Sequence, residues 1–200
     1  MSKKTTTIQP TDNQLAAQTA TGIHPKKFGL WIFMVSVVML FGSLTSAYIV
    51  RRAEGNWHTF ELPTVFFWST LVILSSSITM HWAYLSAKKD NITQLKIGIL
   101  LTSLLGFAFM VLQWYGWKAL VAMEVFFAFD NPSGSFLYVI SGLHGVHLLS
   151  GVIYLYIILW ASFRLKIHSK SLVRLEMCAS YWHFLGLLWL YLFVFLWIYR

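Results

Sequence analysis

The sequence predicts an all-α polytopic membrane protein, a bundle of five transmembrane helices. Three observations carry this. Only 11% of the 200 residues are charged, where a soluble domain carries about 25%. Charge-free windows occur at 28–50, 62–87, 97–117, 131–163 and 177–199, each able to cross a bilayer that needs roughly 20 apolar residues. The four prolines, at 10, 25, 63 and 132, fall outside these windows or at their starts. Buried core helices of a soluble protein would need polar faces, and the charges to build them are missing.

Each window is assigned to a helix because an isolated strand cannot satisfy its own backbone in hydrocarbon. The spans are placed at about 28–50, 62–87, 97–117, 134–163 and 177–199. Pro63 suits a first helical turn, where a missing N–H costs nothing. The loops 51–61, 88–96 and 164–176 are too short for a soluble domain. Residues 118–130, KALVAMEVFFAFD, are expected to lie along the surface as an amphipathic turn or helix. Residues 1–23 are polar and carry no apolar signal core; they are expected to form a flexible tail ahead of one membrane domain, 24–200. The single cysteine, Cys178, excludes an internal disulfide.

Net charge is +8, which in a soluble protein would suggest nucleic acid. Here topology partitions it. The side of the N-terminus holds 11 of the 15 Lys and Arg, at 3, 4, 26, 27, 88, 89, 96, 164, 166, 170 and 174; the other side holds Arg51, Arg52, Lys118 and Arg200. Positive charge collects on the cytoplasmic side. The N-terminus is therefore expected inside and the C-terminus outside, with no nucleic-acid partner. Trp114, Tyr115, Trp117, Trp197 and Tyr199 would mark the outer interface, where amphipathic rings settle.

Polar groups in hydrocarbon are costly, so each is a candidate site. Small residues such as Gly42/Ser46 and Ser141/Gly145 are expected to let helices approach. The histidines of SGLHGVHLLSG (141–151), His144 and His147, are three apart and share a helix face. A zinc site needs three or four ligands; His81, His183 and Glu176 are the further candidates, and no HExxH pattern occurs. A bis-histidine haem would take His147 and His183 from two helices. Hydrogen bonding to a neighbouring helix or a lipid head group is the third reading of these imidazoles. No Asp, Glu, Lys or Arg lies deep in any span, which disfavours a stand-alone pump or transporter. No Ser-His-Asp set, CxxC or phosphate loop occurs, so no catalytic centre belongs to the chain itself.

Specific motifs add a resemblance. Asn131-Pro132, SFLYVISGLHGVHLLSG (135–151), Glu176 and YWHFLGLLWLYLF (181–193), with Arg51 closing LFGSLTSAYIVR (40–51), resemble subunit III of the haem-copper cytochrome c oxidases. The match covers most of residues 25–200 and looks like the short bacterial form that lacks the first two of seven helices. The resemblance implies a non-redox accessory subunit in a bacterial plasma membrane. Haem and copper would reside in partner subunits. Subunit I, which reduces oxygen to water and pumps protons, would be the main partner, alongside other oxidase subunits and bound phospholipid. Proton uptake by subunit I would be supported. His144, His147, Glu176, Tyr181, Trp182, His183 and Arg51 would be helix or lipid contacts, Glu176 meeting a basic or histidine partner near the membrane surface. Two positions depart from the family: Val37 replaces a glutamate in the first span, and Gly186 replaces a frequent aspartate, so roles of those carboxylates do not carry over. The open alternatives are a subunit of a quinol oxidase, a nitric-oxide-reductase-associated homologue, and a b-type haem anchor through His147 and His183.

Overall fold

The computed structural model describes residues 25–55, 57, 61–125, 132–163 and 172–199. The expected tail, most of the basic 164–176 segment and Asn131 lie outside the described residues. Five helices follow one another: α1 Pro25–Ala53, α2 Thr64–Lys88, α3 Ile92–Ala122, α4 Pro132–Phe163 and α5 Leu172–Tyr199. All five are long and apolar enough to cross a membrane, and the chain is a multi-pass membrane protein.

The helices outrun the charge-free windows. α3 runs to Ala122, so Lys118 to Ala122 continue the third helix and do not form a separate surface element. α5 begins at Leu172, which brings Arg174 and Glu176 into its first turn and a half. The reason is geometric: 31 residues rise about 46 Å, longer than the roughly 30 Å hydrocarbon core, and helix ends that reach the interface tolerate charge. Pro63 stands at the N-cap of α2, one place ahead of the first turn, while Pro132 does open α4. The α2–α3 turn is tight. Asp90 takes a positive φ of 52°, and the Asn91 side chain accepts from the Gln94 backbone N–H at 3.2 Å, satisfying a donor the helix start leaves free.

α2 and α3 form a hairpin, and α5 packs against α1, α2 and α4. Half of the central window of α5 is buried, against 22% for α1. α1 is attached to α4 and α5 by one stripe, Met34, Val37, Phe41, Thr45 and Tyr48, spaced three, four, four and three apart as one helical face requires. Its other faces are exposed and apolar, including Phe28, Trp31 and Met39.

An odd number of spans makes α1 and α5 parallel, and their contacts show it. Lys27 meets Glu176 at 2.7 Å on one side of the bundle, called here the near side. Thr45 Oγ1 and the Tyr191 hydroxyl are 3.0 Å apart in the far half. On the far side the Tyr48 hydroxyl donates to the Tyr199 carbonyl at 3.1 Å. Tyr48 is fully buried among the rings of Trp57, Phe136 and Phe195.

Candidate functional site: polar contacts between the helices

α2 presents a line of hydroxyl acceptors to the rest of the bundle. Ser69, Thr70 and Ser76 each donate to a carbonyl three or four residues back, at 2.7–2.9 Å. With their hydrogens committed to their own helix, the oxygen lone pairs accept from neighbours. Gln113 Nε2 of α3 donates to Ser69 at 3.0 Å. From α5, Trp182 Nε1 donates to Ser76 at 3.1 Å and Trp189 Nε1 to Thr70 at 3.0 Å. Both indoles are 1% exposed. Without water in reach, an indole N–H needs such a partner. The seven-residue step on α5, close to two turns, meets a six-residue step of about 1.7 turns on α2.

Trp182 gathers three helices. A Cβ on Gly106 of α3 would lie 2.6 Å from its Cη2, and one on Gly151 of α4 would lie 3.4 Å from its Cε3. Glycine is required at 106 because the indole fills the space. Close approach in this bundle therefore uses Gly98 against Ala83, Gly106 against Trp182, and Gly116 against Phe66. The expected Gly42/Ser46 pair does not serve this purpose. Both residues are exposed, and a Cβ at Gly42 would meet nothing within 4 Å, because α1 is peripheral and turns that face away from the bundle.

The histidines separate. His144 is 1% exposed and its ring lies among Trp189, Phe109 and Phe41, with centroids at 5.1, 6.1 and 6.5 Å. Neither of its ring nitrogens has a hydrogen-bond partner. His147 donates from Nδ1 to the Leu143 carbonyl at 2.7 Å and faces Phe33 and Phe41 of α1. Tyr181 joins it from α5: its hydroxyl is 2.8 Å from Ser150 Oγ, and its ring is 5.8 Å from Phe33. His183 turns to the opposite side of α5 and meets His81 of α2, ring centroids 6.2 Å apart. Two residues along a helix are about 200° of rotation, so Tyr181 and His183 cannot serve one face.

This overturns the His147–His183 haem pair, since the two imidazoles point to different helices. Nor does the His81–His183 pair leave room for a macrocycle. Gly186, one turn on, brings α5 so near α2 that a Cβ there would lie 3.1 Å from Ser77 Oγ. Among the described residues no group of three or more His, Cys, Asp or Glu could hold a metal ion. The described residues do not fit a haem or a metal centre.

Glu176 is paired with Lys27 across α5 and α1, both side chains partly exposed. Arg51 pairs with Glu54, one residue past the end of its own helix. Val37, in place of the family's glutamate, is buried in the apolar stripe of α1. Sequence reasoning counted Lys27 only as a topological charge and passed over Trp189. The signal for Trp189 was available: it is seven residues after Trp182, on the same face.

A sequence profile of the cytochrome c oxidase subunit III family matches residues 8–200. The cytochrome bo(3) ubiquinol oxidase subunit 3 of Buchnera aphidicola is 29% identical over 178 residues, covering 86% of this chain and 93% of the relative. Cytochrome c oxidase subunit 3 of Thermostichus vulcanus is 28% identical, over 88% of this chain and 89% of the relative. For the Aedes aegypti subunit 3, 29% identity extends over 84% of this chain but 67% of the longer relative. With five membrane-crossing helices, the Trp182 and Trp189 contacts and a profile match over nearly its whole length, the chain belongs to the cytochrome c oxidase subunit III family.

Proposed function

We propose that the chain is the non-redox subunit III of a respiratory haem-copper oxidase in a bacterial plasma membrane, N-terminus cytoplasmic and C-terminus periplasmic. Its main partner is the catalytic subunit I, and it works by holding that subunit's protein and lipid surroundings in place. The observation that carries the reading is how the buried polar groups are used. The Trp182–Ser76, Trp189–Thr70 and Gln113–Ser69 bonds join helices to one another, and nothing among the described residues gathers ligands for a redox centre. Oxygen reduction then occurs on haem and copper held by partner chains. Among the described residues the near side carries Lys26, Lys27, Lys88, Lys89, Lys96 and Arg174, against Arg51, Arg52 and Lys118 on the far side, which supports assigning the near side to the cytoplasm.

In this reading His147, Tyr181 and Trp182 fix α4 and α5 against their neighbours. Glu176 with Lys27 closes the cytoplasmic end, and Arg51 stays at the periplasmic end of α1. The exposed aromatics of α1 face phospholipid or a partner helix. With Val37 and Gly186 at the family's carboxylate positions, support of proton uptake comes from positioning subunit I. On this reading cytochrome c is the donor to the complex, an assignment supported by the Thermostichus vulcanus relative, 89% of whose length is matched. A quinol is the second reading, supported by the Buchnera relative, 93% of whose length is matched.

Affinity purification of the tagged chain from native membranes tests the proposal. Co-purification of a haem-copper catalytic chain, seen in the visible spectrum and by mass spectrometry, is expected. Recovery of the chain with no haem-bearing partner overturns it.

A further inference from the structure

α5 is covered by three helices and open in one sector. α1 is attached to α4 and α5, and α2 to α3 and α5, so α1 and α2 flank α5 without an extensive contact of their own. Between them α5 shows an exposed stripe, Ser180, Leu187, Tyr191, Val194 and Ile198, with His183 half-buried in line. Steps of three, four, four, three and four residues keep to one helical face. Thr45 of α1 closes on this stripe at Tyr191. From the other side, Ser77 of α2 stands where a Cβ on Gly186 would lie at 3.1 Å. A groove of about 460 Å³ runs over Leu187, Tyr191, Val194 and Ile198.

The near end of the stripe is polar. His183 meets His81 of α2, ring centroids 6.2 Å apart, and His81 is exposed. Unlike His144, His183 keeps its ring nitrogens reachable from outside the bundle. Among the described residues the two imidazoles touch each other and make no hydrogen bond. They sit at one level. His81 is seven residues before Lys88, and His183 seven after Glu176, about 10 Å below the near-side charges in each helix. The head-group layer is about 5–8 Å thick on each face, so both rings lie in hydrocarbon. Polar groups at that depth are costly and almost always meet a partner. The described residues supply none: Glu176, the acid of α5, is held by Lys27, and Gly186 has no side chain to offer.

We propose that the open sector of α5 seats a transmembrane helix of a different chain, and that an aspartate or glutamate of that helix bonds to His81 and His183. The inference rests on the chain's being a subunit of a larger membrane complex. A neutral imidazole has one N–H to donate, and a carboxyl group has two oxygens to accept with, so one acid serves both rings. Beyond His183 the apolar stripe continues for about four turns, which gives the partner helix its packing surface. A phospholipid carries its charge in the head-group layer, above both rings, and an acyl chain in the groove would leave them bare. Two imidazoles are too few for zinc, which takes three or four ligands. No Asp or Glu lies deep in any span of this chain, so a second copy cannot supply the acid.

The test uses native membranes containing the full chain. Photoreactive benzoylphenylalanine replaces Leu187 in the stripe or, as control, Leu104, exposed on α3. Illumination is expected to join the derivative at 187 to a partner chain at least tenfold more than the derivative at 104, within an apolar window that carries Asp or Glu. His81→Phe, which keeps a ring and loses the N–H, should lower the yield at least fivefold. His81→Gln, which keeps a donor, should retain most of it. An adduct with a second copy, adducts with lipid alone, a partner window without an acid, or a yield unchanged in His81→Phe overturns the inference. If His81→Phe fails to accumulate, the presence of an acid in the mapped window decides alone. A haem-bearing chain that co-purifies while no protein adduct forms at 187 sinks the helix seat and leaves the oxidase assignment standing. An acid-bearing helix captured at 187 with no haem-bearing chain present supports the seat and sinks the oxidase assignment.

Discussion

Lys27 Nζ and Glu176 Oε2 lie 2.7 Å apart although 149 residues separate them in the chain. The pair joins the first turn of α1 to the start of α5 on one side of the bundle, where both side chains remain partly exposed. Exposure keeps the attraction modest, about 0.5–1 kcal/mol. Lys27→Met and Glu176→Gln should each weaken the α1–α5 association by that order. The charge swap Lys27→Glu with Glu176→Lys should restore most of it. A double-mutant cycle on unfolding in detergent at two salt concentrations measures this, and a coupling that ignores salt would contradict the ion pair.

Ser76 accepts from the buried Trp182 indole. Ser76→Ala leaves that N–H unpaired in an apolar surround, at a cost of about 1–3 kcal/mol. Thr70→Val should do the same to Trp189. Both are checked by thermal inactivation of the detergent-solubilised protein, with Ser75→Ala, on an exposed residue, as the control expected to change little.

Two glycine substitutions should part company. Gly106→Ala drives a methyl to 2.6 Å from Trp182 Cη2 and should destabilise by about 1–3 kcal/mol, as overpacking does. Gly145→Ala meets open space and gains the helix preference of alanine, worth up to about 1 kcal/mol. Side-by-side melting curves decide the matter, and similar shifts in both would refute the packing described.

Purified apart from any oxidase subunit, the chain should show no sharp reduced band of bis-histidine haem in its visible spectrum. His147 is committed to Leu143 and the rings of α1, while His183 is turned to His81. A haem band that disappears in His147→Ala would reverse that assignment.

The five helices were legible because hydrophobic length is a local property. Their ends were not, since charge-free windows stop where the first charge stands, whereas α3 and α5 carry Lys118, Arg174 and Glu176 within the helix. The polar contacts were legible only as residues. Glu176 asked for a basic partner, but nothing in the sequence ties it to Lys27, which lies close only because α1 and α5 run parallel. Gly42 and Ser46 have the spacing of a packing pair, yet spacing does not say which face of a peripheral helix turns inward. The difference between Tyr181 and His183 was readable from their two-residue separation, as was the shared face of Trp182 and Trp189.

The parallel pairing of α1 with α5 has a consequence for biogenesis. α1 emerges from the ribosome first, yet its seats on α4 and α5 are made last. While α2 and α3 can close as a hairpin between neighbours in sequence, the leading segment must wait in lipid for α4, and completes its seat only when α5 is threaded. Nascent chains stalled before Leu172 should therefore leave the α5-facing side of the leading rod open to quality-control proteases, and the emergence of α5 becomes the step that locks the bundle.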